Sequence, residues 1–238
     1  MKKIVLASLM SSLSLSPFVY AGSMGDASCA PSGFVSFEGG YTWNKINGLE
    51  INIGTLSLSP VKKQDQLSGR IAGGIIHMLD DDIGITGELG WGYYGRTTFN
   101  IDSSFGGIPI SISNKYTLSG FDALIGLAYI QTYYSLYVKV GGLIQNMQQN
   151  NTATGVFAGR IMDLNEKHTN AAVLPATKLA AAYNIDPNWS ITGSWLFAYG
   201  ATTKASFTLT TNPNVFVAKV NTQNPMMNTF MLGIQYTA

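Results

Sequence analysis

The feature that most constrains this chain is a period-two alternation that returns eight times. In each stretch one parity is apolar or aromatic and the other is small, polar or charged. Because a β-strand sends successive side chains to opposite faces, such a stretch is a strand with one greasy side. The third is the clearest: Ile83, Ile85, Gly87, Leu89, Trp91 and Tyr93 share one face, while Gly84, Thr86, Glu88, Gly90 and Gly92 share the other. The remaining seven fall at about 34–43, 67–78, 117–130, 134–145, 173–183, 189–200 and 228–238.

The connections alternate in length. Residues 80–82, 131–133 and 184–188 are short turns after the second, fourth and sixth stretches, whereas roughly 20 residues or more follow the first, third, fifth and seventh, the asymmetry of outer-membrane barrels with periplasmic short turns. An even count lets the first strand pair with the last, which removes both open edges. Aromatic residues of the apolar parity collect at two heights: Tyr129, Tyr134, Tyr183, Trp189 and Tyr236 at the short-turn ends, and Tyr41, Trp43, Trp91, Tyr93, Phe197 and Tyr199 at the other. Trp and Tyr favour both membrane interfaces. A water-soluble barrel would need a polar outer face, and here the polar parity is the narrow, Gly-rich one. The expected fold is all-β, an eight-stranded antiparallel up-and-down transmembrane β-barrel over residues 34–238 with long extracellular hairpins.

Lys2 and Lys3, an apolar stretch diluted by serines and Pro17, and Val19-Tyr20-Ala21 before Gly22 have the form of a cleaved secretory leader over residues 1–21. Residues 22–33 then form a short periplasmic segment. Fourteen basic and thirteen acidic side chains, two of the basic ones in the leader, offer no electrostatic case for nucleic acid. The single cysteine, Cys29, excludes an internal disulfide. A charged fraction of 11% is about half that of an ordinary soluble domain.

An exported chain with eight alternating strands, two aromatic girdles and an aromatic-rich final strand from Phe230 to Tyr236 resembles the small outer-membrane barrels of the OmpA/OmpX and opacity types. The resemblance is one of architecture and implies residence in the bacterial outer membrane, with lipid as the surrounding partner.

Six charges sit on the inward parity: Glu38, Arg70, Glu88, Asp122, Lys139 and Lys178. An unpaired buried charge is very costly, so these three acids and three bases are expected to pair across a packed lumen; the other reading is a charged path for protons or small ions. Enzymes among small barrels use His with Ser, Asp or Glu near the outer rim. Neither histidine fits: His77 falls at the periplasmic end, and His168 reads as a solvated residue of a long loop over 146–172. No cofactor or metal motif is present, and Asp80 to Asp82 reads as a solvated turn. Alternation resumes around Phe105-Gly106-Gly107 and around Asn212-Pro213-Asn214, which marks hairpin extensions of strands three and four and of strands seven and eight. The expected role is that of a non-enzymatic, monomeric barrel that contacts host or envelope surface components through these hairpins. The alternative is a narrow conduit for small solutes or hydrophobic molecules, favoured if Gly74, Gly90, Gly92, Gly120 and Gly126 leave the lumen open.

Overall fold

The computed structural model describes residues 31–44, 46–53, 56–58, 61–105, 108–157, 160–201, 203–212, 215–221 and 223–238. The expected leader, and residues 22–30 of the segment after it, lie outside them. Among the described residues the chain forms β1 (Ser32–Asn44), β2 (Ile46–Ile53), β3 (Leu56–Leu58), β4 (Val61–Asp65), β5 (Leu67–Met78), β6 (Ile83–Phe105), β7 (Ile108–Ile130), β8 (Tyr134–Phe157), β9 (Arg160–Asn184), β10 (Trp189–Ala198), β11 (Thr203–Asn212), β12 (Val215–Asn221) and β13 (Met227–Thr237).

Eight of these close a ring in the order β1-β5-β6-β7-β8-β9-β10-β13, and β13 pairs antiparallel with β1 to seal it. The register can be followed once around through inward-facing residues: Thr42, Thr229, Leu196, Lys178, Lys139, Gly126, Thr86, Ile76 and back to β1 at Ser32. The return lands ten residues from the start, which for eight strands sets a tilt of about 40°. With that tilt the two aromatic girdles stand about 20–25 Å apart, the height of a lipid-facing belt.

The outer face between the girdles is apolar and open. Val138, Leu89, Ile125 and Leu232 are all exposed, Leu232 by 72%. Contiguous apolar surface on this scale does not stay in water. Its polar complement is the interior, where Ser36, Thr86, Ser190, Thr192 and Gln235 are buried. The chain is an eight-stranded transmembrane β-barrel.

Above the outer girdle β6, β7, β8 and β9 continue without interruption. Outward positions turn polar there: Arg96, Thr98, Thr117, Lys115, Asn146 and Gln148 follow Trp91, Phe121 and Ile144. From Trp91 to Phe105 the rise is on the order of 40 Å along the strand. The 146–172 segment is therefore a hairpin rather than a loop: β8 and β9 stay paired from Tyr134–Tyr183 to Phe157–Arg160. Its alternation was hidden because both faces of a projecting strand are polar at this height.

The hairpin after the seventh barrel strand departs from expectation in another way. Extension of strands three and four is continuous, but β10 stops at Ala198, and β11 and β12 belong to a separate sheet of order β12-β11-β2-β3. In it β11 runs parallel to β2, which comes from the first long connection. Two connections distant in sequence thus merge into one sheet, a pairing that no local pattern announces.

β4 continues the line of β5 and pairs with β6 across a register shift between Tyr93 and Arg96. Gly95 sits in that bulge with φ of 90°, and a Cβ there would lie 2.8 Å from the Asp65 carbonyl oxygen. Gly95→Val is expected to lower the unfolding free energy by about 1–3 kcal/mol, since a β-branched residue resists this backbone conformation. Urea titration in lipid vesicles checks this, with Gly95→Asn the milder control.

Candidate functional site

The lumen is filled in three storeys. At the periplasmic end Phe34, Ile76, Ala128, Tyr137 and Ala182 form an apolar plug, joined by Met78, Ile130 and Ala180. In the upper half Leu118, Leu143, Met147, Leu196 and Met227 are fully or almost fully buried. Between these layers lie all six expected charges, each at most 7% exposed.

Arg70 is the hub. Its Nε donates to Asp122 Oδ2 at 3.0 Å, Nη2 donates to Asp122 Oδ1 at 2.5 Å and to Glu88, and Nη1 reaches Glu38 Oε2 at 3.4 Å. Lys139 and Lys178 are cross-strand neighbours, a like-charge pair that would repel if left alone. Glu88 bridges them: one oxygen accepts from Lys139, and the other accepts from Lys178 Nζ at 2.9 Å. Lys178 also donates to Glu38 Oε1 at 2.7 Å. The layer is neutral as a whole, and every charge has at least one opposite partner, the condition under which buried ions are tolerated.

Neutral groups complete it. Ser194 Oγ donates to Glu38 Oε2 at 3.2 Å, Tyr94 OH donates to Asp122 Oδ2 at 3.4 Å, and Lys139 Nζ lies 4.8 Å from the Phe34 ring centre and 4.9 Å from that of Tyr137. Ser194 is on the inward parity and could be anticipated. So is Tyr94, which follows Gly90 and Gly92 on the same parity as the last inward residue before the bulge at Gly95.

The glycines of the polar parity are rooms rather than openings. A Cβ on Gly90 would collide with the Arg70 guanidinium. One on Gly92 would lie 2.7 Å from the Tyr94 ring, on Gly74 2.6 Å from the Phe34 ring, and on Gly120 2.8 Å from Leu143 Cδ1. A Cβ on Gly126 would collide with the Val138 carbonyl oxygen. Each of the first four is the space into which one large side chain folds.

The mouth is bridged by chain as well. Asn224 Nδ2 donates to the Gln145 carbonyl at 2.8 Å, and Asn170 Nδ2 donates to Asn224 Oδ1 at 3.0 Å. Ala201 N bonds the Asn224 carbonyl, and Met226 N bonds the Ala201 carbonyl. Higher still, Phe99 and Tyr116 meet edge to face at 5.8 Å and are fully buried although they stand above the membrane, so the inner side of the projecting sheet is covered. Burial raises the Tyr116 phenol above its ordinary range, which keeps it the neutral partner of Gln149 Nε2 at 3.3 Å.

The histidines lie apart from this layer. His77 is exposed on the outer face near the periplasmic turn, where Asp81 N bonds Asp80 Oδ1. His168 is exposed on β9, opposite Gln149, and so belongs to a strand rather than a loop.

No family model and no curated protein matches the sequence. Among solved structures the chain is similar to the attachment invasion locus protein Ail of Yersinia pestis, at 12% identity and a TM-score of 0.42, over 87% of this chain and 97% of that one. It is also similar to Neisserial surface protein A, at 12% identity and 0.34, over 87% and 98%. A major outer membrane protein from Thermus thermophilus aligns at 13% identity and 0.49, over 88% and 100%. The barrel assignment itself rests on the closed ring and the exposed apolar belt.

Proposed function

We propose that the protein is a non-enzymatic anchor in the bacterial outer membrane that displays a two-sheet β-structure to bind surface components, of a host or of the neighbouring envelope. The observation that carries this reading is the contrast between the two halves of the molecule. The lumen is packed from the periplasmic plug to the mouth, whereas above the membrane the chain builds a five-strand projection, β4 and β6 to β9, and a second sheet. Edge strands β12 and β3 of that second sheet carry backbone groups free of any further described strand, and such edges accept an extended segment from a partner.

Deletion of residues 203–221 removes β11 and β12 and leaves the ring intact. Adhesion of expressing cells to epithelial monolayers and to a laminin-rich matrix is the measurement. Full-length protein should raise bound cells about tenfold over an empty vector, and the deletion should return them to background while surface display and the heat-modifiable gel shift persist. Adhesion that survives the deletion, or that never exceeds the vector, sinks the proposal.

A further inference from the structure

Just above the outer girdle the outward face of the projecting sheet carries a cross-strand row that runs Lys63, Thr98, Lys115, Asn150, Lys167. Three lysines thus occupy alternate strands at about 10 Å intervals. The row beneath it runs Asp65, Arg96, Thr117, Gln148, Thr169 and adds a fourth cation nearer the girdle. Lys63 and Lys167 are exposed, and Lys115 and Arg96 half-buried. Among the described residues none of these four cations has an ion pair, not even Arg96 with its cross-strand neighbour Asp65, and Arg96 Nε lacks a hydrogen-bond partner.

The sign of the charge changes with height. The register row that runs Asp102, Ser111, Thr154, Asp163 lies farther from the membrane and brings two acids and no base. Cations are therefore confined to the part of the face that continues directly from the lipid-facing belt, within about 15 Å of the girdle. Flexible lysine stems can reach down from there to the interface.

We propose that this row is a binding surface for phosphate-bearing head groups of the lipids surrounding the barrel. The row continues directly upward from the lipid-facing belt, so a lipid phosphate at the girdle meets Arg96 and the three lysines against the single acid Asp65. The inference is independent of the adhesion reading: it concerns the outer face of β4 and β6 to β9, and the deletion of 203–221 leaves those strands in place.

The test uses the full barrel refolded in phosphatidylcholine bilayers that contain trace spin-labelled phosphatidic acid or spin-labelled phosphatidylcholine. Electron paramagnetic resonance reports the fraction of each label held at the protein surface. The expected result is a preference of about threefold for phosphatidic acid, abolished in a Lys63→Gln, Lys115→Gln, Lys167→Gln variant and reduced by about 0.5 M NaCl. The substitutions lie on a solvent-facing surface, and the heat-modifiable shift verifies folding of the variant. No preference in the unaltered protein, or one that the triple variant keeps, overturns the proposal. Soluble tripolyphosphate is titrated in parallel onto the protein in phosphatidylcholine alone; tight binding that the triple variant loses, without any lipid preference, would reassign the row to a soluble polyanion and overturn it equally.

Discussion

Arg70→Met should destabilise the barrel by about 3–5 kcal/mol, the cost of leaving a buried charge without its partner. Arg70 is the group that touches all three acids of the layer. Without it Glu38 and Glu88 retain Lys139 and Lys178, but Asp122 keeps only the hydroxyl of Tyr94 among the side chains of this layer. A buried carboxylate in that position lacks any cation. The double variant Arg70→Met with Asp122→Leu removes one charge of each sign and leaves two acids facing two bases. It should recover more than half of the loss, because the desolvation of the removed pair is also relieved. Urea unfolding in lipid vesicles, followed by the gel shift and by tryptophan fluorescence, measures both. Equal stability of the single variant and the unaltered protein would mean that the layer does not brace the barrel; a double variant as weak as the single would mean that Arg70 acts through packing over Gly90 rather than through charge.

That second outcome marks where the chain's own pattern stops being readable. Alternation along each strand says which face a residue takes, and since closure pairs β1 with β13, it also says which six charges share the interior. It does not say how far each side chain leans along the axis. Arg70 of β5 extends over Gly90 of β6 and Phe34 of β1 over Gly74 of β5, whereas Tyr94 covers Gly92 two residues back on its own strand, so small and large residues complement one another mostly across strands. Read as a bare pattern, a Gly-rich parity suggests space; read against the neighbouring side chains, the same glycines are what allow an eight-strand lumen to hold an arginine, a tyrosine, a phenylalanine and a leucine. The upper sheet shows a second limit. Continuous extension of β6 and β7 is foreshadowed by the alternation on both sides of Phe105-Gly106-Gly107, because the two strands are sequence neighbours. Pairing of β2 with β11 joins residues more than 150 positions apart in parallel and has no local signal.

An arginine scan of the outer face separates a membrane belt from any other apolar surface. Leu89→Arg and Leu232→Arg place a charge at mid-height on positions 59% and 72% exposed, where lipid chains are the surrounding medium; each should cost about 2–4 kcal/mol. Tyr129→Arg at the periplasmic girdle should cost about 1 kcal/mol or less, because the charge can reach the interface. Gln148→Arg lies above the outer girdle and should change stability by less than about 0.5 kcal/mol. Unfolding titrations in vesicles give the four values. Their dependence on height is the decisive quantity. A belt yields a cost that peaks near the middle and vanishes at both girdles, because the penalty comes from the depth of hydrocarbon. An apolar surface buried against a second protein would instead penalise positions by how closely they are packed. The exposed Leu232 and its open cross-strand neighbours Gly39 and Gly193 then give a sharp contrast: loosely packed positions at mid-height should be among the most costly in lipid and among the least costly in a protein interface.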